Sequence, residues 1–157
     1  MNFTRFSLLA FVFFLAAASP VTATTYYVRV TGRDNGNGRS ANNAWRTIGK
    51  AAKVVTAGDI VYVGAGSYQK STAVLFRNSG TVNSPIRFIA DKTGANTGDA
   101  GDVIILTPPN GQGIYTWYFS TAKHYQIIGF KFKRNPNAPQ PIIARPSFHT
   151  TPECPCG

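Results

Sequence analysis

The chain has 157 residues, 16 Lys+Arg against 6 Asp+Glu, and two cysteines. One domain is expected from that length. With 43% hydrophobic and 13% aromatic residues the chain is too apolar to be disordered, and two cysteines are too few for a disulfide-stapled mini-protein.

The N-terminus reads as a secretory leader. One positive charge falls within Met1–Arg5, an apolar run covers Ser7–Ala18, Pro20 follows, and Val21 and Ala23 supply small side chains before a cleavage point. The apolar run is short for a membrane span, and no later run of 18 apolar residues occurs, so no membrane association is expected after cleavage. Residues 1–23 are therefore read as a signal peptide and the mature chain as secreted, with a net charge of +9 once Arg5 is removed.

Thr25–Val30 (TYYVRV) is β-branched and aromatic, which predicts a strand. Gly32–Gly38 is rich in Asn, Asp and Gly and predicts a loop. Trp45, Ile48, Ala51, Ala52 and Val55 lie at helical spacing, with Asn43 as the expected N-cap and Gly58 as the expected left-handed stop. From there the pattern is one of short strands: Asp59–Val63, a weaker one at Ala73–Phe76, then Pro85–Ala90, Val103–Leu106, Ile114–Phe119 and Tyr125–Lys133. In the last, Ile128, Phe130 and Phe132 are expected on one face, with Gly129, Lys131 and Lys133 on the other. No second helical pattern separates these strands, which argues against alternating βαβ units. Ile60, Ile86, Ile104 and Ile127 recur about every 22 residues, a period that fits either a solenoid or an antiparallel sandwich.

Five segments in order carry a resemblance. They are Thr25-Tyr26-Tyr27-Val28 with Gly32-x-Asp34; Trp45-Arg46-Thr47-Ile48-x-x-Ala51; Gly58-Asp59-Ile60-Val61-Tyr62-Val63-x-x-Gly66-x-Tyr68; Asn78-Ser79-Gly80-Thr81 with Ser84-Pro85-Ile86; and Tyr125-Gln126-Ile127-Ile128-Gly129-Phe130. Together they resemble the opening of secreted right-handed parallel β-helix proteins of the pectate-lyase-like superfamily, closest to its polysaccharide lyases. The resemblance implies an all-β solenoid over residues 24–134: an N-terminal capping α-helix, then the first few coils. It also implies that the helix covers the first coil, whose interior and backbone edge are otherwise bare.

Residues 135–157 hold six of the ten prolines and no strand pattern, so they are expected to form a disordered tail. The family pattern runs on for many more coils, so the chain is read as a truncated relative. Its last coil is then expected to leave an open solenoid end through which copies self-associate.

Lyases of this superfamily cut acidic polysaccharides by β-elimination. A Lys or Arg takes the proton beside the uronate carboxyl while a cation, often calcium, neutralises that carboxylate. The groups responsible come from later coils, so no catalytic residue is assigned. The expected function is carbohydrate binding or structural, not catalysis by this chain alone; the alternative is a pectate- or alginate-type lyase. Lys131, Lys133 and Arg134 form a basic cluster suited to an acidic polysaccharide and are the expected substrate-binding residues, although a solvated strand face looks the same in sequence. Asp99 and Asp102, and separately Asp34 with Asn35 and Asn37, supply too few oxygens for calcium, so no metal site is assigned and calcium enters only if the chain is a lyase. Tyr115, Trp117 and Phe119 share a strand face and are expected in the core. His124 and His149 have no ligand spacing, and Cys154 and Cys156, one residue apart, would form a strained disulfide. The leader and the scattered basic residues argue against nucleic acid as a partner.

Overall fold

Parallel strands cannot be joined by a tight hairpin and need a crossover connection, and this chain supplies one by leaving each sheet and returning to it after each excursion. The computed structural model describes residues 22–69, 73–107 and 117–136. Its strands are β1 (Thr25–Val28), β2 (Ile60–Val63), β3 (Gly66–Tyr68), β4 (Val74–Phe76), β5 (Ile86–Ala90), β6 (Val103–Leu106), β7 (Trp117–Phe119), β8 (Tyr125–Ile128) and β9 (Lys131–Lys133). They form three sheets, ordered β1-β2-β5-β8, β3-β6-β9 and β4-β7. Every strand pairing is parallel. The architecture is thus all-β with parallel sheets, and the antiparallel sandwich is excluded.

Register carries side chains into stacks. Tyr26, Val61, Phe88 and Ile127 align across the first sheet, and Val28, Val63 and Ala90 form a second inward stack beside them. Tyr68, Ile105 and Phe132 align across the second sheet, and Phe76 aligns with Phe119 in the third. The buried members from all three sheets form one apolar cluster. At its centre Phe76 stacks on Phe119 with centroids 4.3 Å apart and meets Phe88 and Tyr125 edge-on at 5.4 and 5.3 Å. Such offset and T-shaped contacts suit the ring quadrupoles.

The helix α1 is shorter than its apolar spacing predicts and spans Ile48–Val54. Thr47, not Asn43, is its N-cap: the Thr47 hydroxyl accepts the Lys50 N–H, and the Asp34 carboxylate accepts the Thr47 N–H and hydroxyl and the Arg46 N–H. Asn43 instead ends a 3₁₀ turn, Ala41–Asn43. Nor does Gly58 stop the helix. The helix ends at Val55, whose carbonyl accepts from the Asn78 amide at 2.7 Å, and Gly58 (φ 88°) serves the following turn. Ile48, Ala51, Ala52 and Val55 are buried, as their spacing predicts, and α1 packs against β4 and β1.

Trp45 lies outside the helix and does a different job. It bridges to Val28 on the free edge of β1, donating its N–H to the Tyr27 carbonyl and accepting from Arg29 N–H, while Tyr27 N–H reaches the Gly38 carbonyl. Its ring stacks on Tyr26 at 4.7 Å and donates from Nε1 to the Gly36 carbonyl at 2.8 Å. The loop covers the sheet edge and the helix covers the apolar end, so the two tasks expected of one element are divided between two.

Three other expectations change. Gly66–Tyr68 is a strand that the sequence pattern does not assign. Ile104 lies in the second sheet, so it does not share the ladder of Ile60, Ile86 and Ile127; the 22-residue period mixed two ladders. The expected strand Tyr125–Lys133 is two strands turning at Gly129 (φ 82°), which resets the alternation: Ile127 and Phe130 turn inward and Ile128 is exposed. The expected leader (save Thr22 and Ala23), the expected tail beyond Pro136, Tyr115, His149 and both cysteines lie outside the described residues. Among the described residues no helix is long and apolar enough to cross a membrane.

Gly38 has φ 69°, and a Cβ there would lie 2.5 Å from the buried Trp45 ring. Gly38→Ala is expected to cost roughly 2–4 kcal/mol, from the strained backbone plus displacement of the ring. Chemical denaturation of wild type and variant measures it.

Candidate functional site

Passing from the first sheet to the second, the chain turns a corner once per circuit: at Gly64-Ala65, at Asp91–Asp102, and at Gly129-Phe130. The middle corner is the long one, and its carboxylates hold it in shape. Asp91 is buried and accepts from Asn96 N–H (2.8 Å), Thr97 N–H (2.7 Å) and the Thr97 hydroxyl (2.9 Å). Burial pushes its carboxyl up, but these bonds outweigh that and hold it below the ordinary carboxylate range. Asp99 reaches back to an earlier circuit and takes Arg29 in a two-pronged ion pair at 2.6 and 2.7 Å. That guanidinium holds the Asp99 carboxyl down in turn. The Ala65 N–H on Asp99 O and the Gly66 N–H on Asp102 O complete the seam.

The basic cluster expected from the sequence sits beside this corner. Lys131 and Lys133 align with Ile104 and Leu106 and share the outer face of β9, about 6.6 Å apart along the strand. Phe132 between them points into the stack of Tyr68 and Ile105 and meets the Trp117 ring at 5.4 Å. Arg134 lies one residue past the strand and is exposed. The segment is tied down there by the Thr107 N–H on Lys133 O (3.1 Å) and the Asn135 N–H on the Thr107 hydroxyl (2.9 Å).

Two further charged side chains join them. Lys131 Nζ donates to Asp102 Oδ2 at 2.6 Å, with the two side chains 50% and 44% exposed. Lys92, just past β5, is brought alongside by the Gly101 N–H on its carbonyl at 2.8 Å. The Lys131 bond holds the Asp102 carboxyl below the ordinary range, and the charges of Lys92 and Lys133 add to this. Nothing in the sequence marks Lys92 or the Asp102–Lys131 pair, because 29 residues separate that pair and only the parallel register joins it.

Asp99 and Asp102 thus pair with different cationic side chains, Arg29 and Lys131. Among the described residues no three His, Cys, Asp or Glu side chains group to hold a metal ion. Asp34 staples Thr47, as a structural loop would. Trp117 packs on Phe76 and is partly buried against the core, whereas Phe119, although stacked on Phe76, is exposed, so the expectation of core holds in part for Trp117 and not for Phe119. Tyr125, whose hydroxyl donates to Asn78 O, is pushed up to about 12 by burial, and burial raises Tyr68 as well. Both stay protonated donors at neutral pH. The chemistry on offer is the attraction of anions by the ammonium groups of Lys92, Lys131 and Lys133, with the Arg134 guanidinium beyond β9.

The fold is similar to that of a rhamnogalacturonan lyase of known structure, with a TM-score of 0.53 and 22% identity over 70% of this chain and 28% of that one. The complex structure of XylC with xylose overlaps 53% of this chain and 12% of that one, at 31% identity and a TM-score of 0.43. The chain therefore spans less than a third of either protein. No protein-family model matches the sequence, and no curated protein does.

Asp91→Ala would strand two backbone N–H groups and a hydroxyl, at an expected cost of roughly 2–4 kcal/mol in equilibrium unfolding. Asp91, Asp99 and Asp102 all have lowered folded-state pKa values. Their contribution is therefore complete above the unfolded carboxylate value of about 3.9 and is lost as pH falls through the lower folded values. Thermal melts should show stability falling below about pH 4, and the fall should be shallower in Asp99→Asn, which starts from a lower melting temperature at neutral pH.

Proposed function

We propose that this chain is a secreted module built as the first coils of a right-handed parallel β-helix, a relative of the pectate-lyase-like polysaccharide lyases, and that it binds acidic polysaccharide rather than cleaving it alone. Three parallel sheets entered in rotation support the solenoid reading, as does the fold shared with a rhamnogalacturonan lyase. The observation that carries the binding reading is the outward pair Lys131 and Lys133 on β9, with Arg134 beyond it. Anionic sugars presented along a strand face meet charges at a fixed repeat there, and attraction of that kind acts through solvent and weakens with salt.

The strands at the far side of each sheet, β7, β8 and β9, have one edge without a strand partner among the described residues, and Phe132 beside Trp117 is 55% exposed. Self-association through this face belongs to the same proposal. Unpaired strand edges invite it, and Lys131 and Lys133 oppose it by charge. Light scattering should therefore rise with salt as that repulsion is screened.

Binding of the secreted protein to immobilised polygalacturonate, a neutral glucan and buffer alone tests the reading. Retention on the acidic polymer alone is expected. Replacing Lys131, Lys133 and Arg134 together by Ser should weaken it on the order of ten-fold at low salt. Equal retention by this variant and wild type would remove the site assignment. Release of unsaturated uronate, followed by ultraviolet absorbance with added calcium, would show the chain to be a lyase in its own right.

A further inference from the structure

We propose that Asp102 is a built-in competitor for the anion: its carboxylate occupies, on Lys131, the place that a uronate carboxylate takes when an acidic polysaccharide docks. The inference rests on the binding reading above and adds Lys92 to the residues that receive the polymer.

The Lys131 ammonium bonds the Asp102 carboxylate, and the charges of Lys133 and Lys92 also act on it. Lys131 and Lys133 come from β9, and Lys92 follows β5. The Lys92 stem lies along the last corner, where a Cβ on Gly129 would stand 3.5 Å from Lys92 Cε and 3.3 Å from Ala90 Cβ. A side chain at Gly129 would crowd that stem as well as strain the turn. Among the described residues Asp102 is the one carboxylate that pairs with any of these lysines. Its backbone is fixed by the Gly66 N–H on its carbonyl, so the carboxylate is presented from a rigid point.

The other aspartates of this region are buried or half-buried and held by several bonds. Asp102 differs in being exposed and having a single partner. Exposed pairs of this kind are weak and exchange readily with solvent and with other anions. A ligand carboxylate offers Lys131 the same chemistry, so the exchange costs one carboxylate–ammonium bond and returns one. Asp102 then remains nearby as a like charge and opposes the ligand. It would thereby keep affinity low for polymers of sparse charge and favour those carrying a carboxylate on successive sugars.

The test uses the full chain with wild type, Asp102→Asn, Asp102→Ser, Lys92→Ser, Lys131→Ser and Asp102→Asn/Lys131→Ser, measured on polygalacturonate and on a sulfated polysaccharide at low salt. Val82→Lys is the charge control, since it also adds one positive charge but lies in the turn before β5, at the opposite end of that strand from Lys92. Asp102→Asn and Asp102→Ser should each bind polygalacturonate about two- to five-fold more tightly than wild type. Val82→Lys should gain less, and Lys92→Ser should bind more weakly than wild type. Lys131→Ser should cost more in the Asp102→Asn background than alone, because in wild type that ammonium is already occupied. A gain no larger than that of Val82→Lys, or an equal cost of Lys131→Ser in both backgrounds, overturns the competitor role while leaving the binding reading intact. An equal gain on the sulfated polymer overturns the assignment to carboxylates. Absence of binding by every variant removes the binding reading and this inference with it.

Discussion

The first strand of a stack of parallel strands has one edge that no preceding strand can satisfy, and the rest of this structure depends on how that edge is closed. Here a non-strand segment closes it. Gly38 and Trp45 supply the backbone partners of β1, and the Trp45 ring packs on Tyr26 at the top of the inward stack. An edge left bare would be a template for pairing with other chains. The segment is itself held by Asp34, whose carboxylate ties the Gly-rich loop to the start of α1. One acidic side chain thus links the edge cover to the end cover.

Below that cap each new strand inherits its register from the one above. The inward stack changes from Tyr26 through Val61 to Phe88 and Ile127, so side chains of different size occupy one ladder. Corners bear the cost of this regularity, because the chain must turn sharply without breaking a ladder. Gly129 does so with a positive φ, and the longer corner Asp91–Asp102 does so with carboxylates that take up its free N–H groups. The bond from Asp99 to Arg29 spans 70 residues of sequence and clamps this corner to the first circuit.

Because strands from distant parts of the chain are stacked about 4.8 Å apart, charges that are remote in sequence become neighbours on the surface. Lys131 meets Asp102, and Lys92 joins them, through register alone. A surface of stacked parallel strands offers charge at spacings set by the backbone. The corner that rigidifies the scaffold also carries the carboxylate of the candidate site.

Composition and pattern alone determined the strand-rich class, the place of most strands, the apolar face of α1 and the basic cluster at Lys131, Lys133 and Arg134, because each depends on residues close in sequence. The motifs around Tyr26, Trp45, Gly58 and Asn78 pointed to parallel coils, and their roles are visible only in three dimensions: Trp45 as an edge partner, Asn78 as the cap of the helix C-terminus. Tertiary structure decided which strands share a sheet. The spacing of isoleucines placed Ile104 in the wrong ladder because corner lengths differ, with 27 residues from Val61 to Phe88 and 39 from Phe88 to Ile127. It also decided that the last predicted strand bends at Gly129, since a glycine inside an alternating pattern leaves the pattern itself unchanged. The pairing of Lys131 with Asp102 and the approach of Lys92 had no local signal at all, because they arise from the stacking of whole circuits, and hydrogen bonding between backbones fixes that stacking without regard to which side chains it brings together.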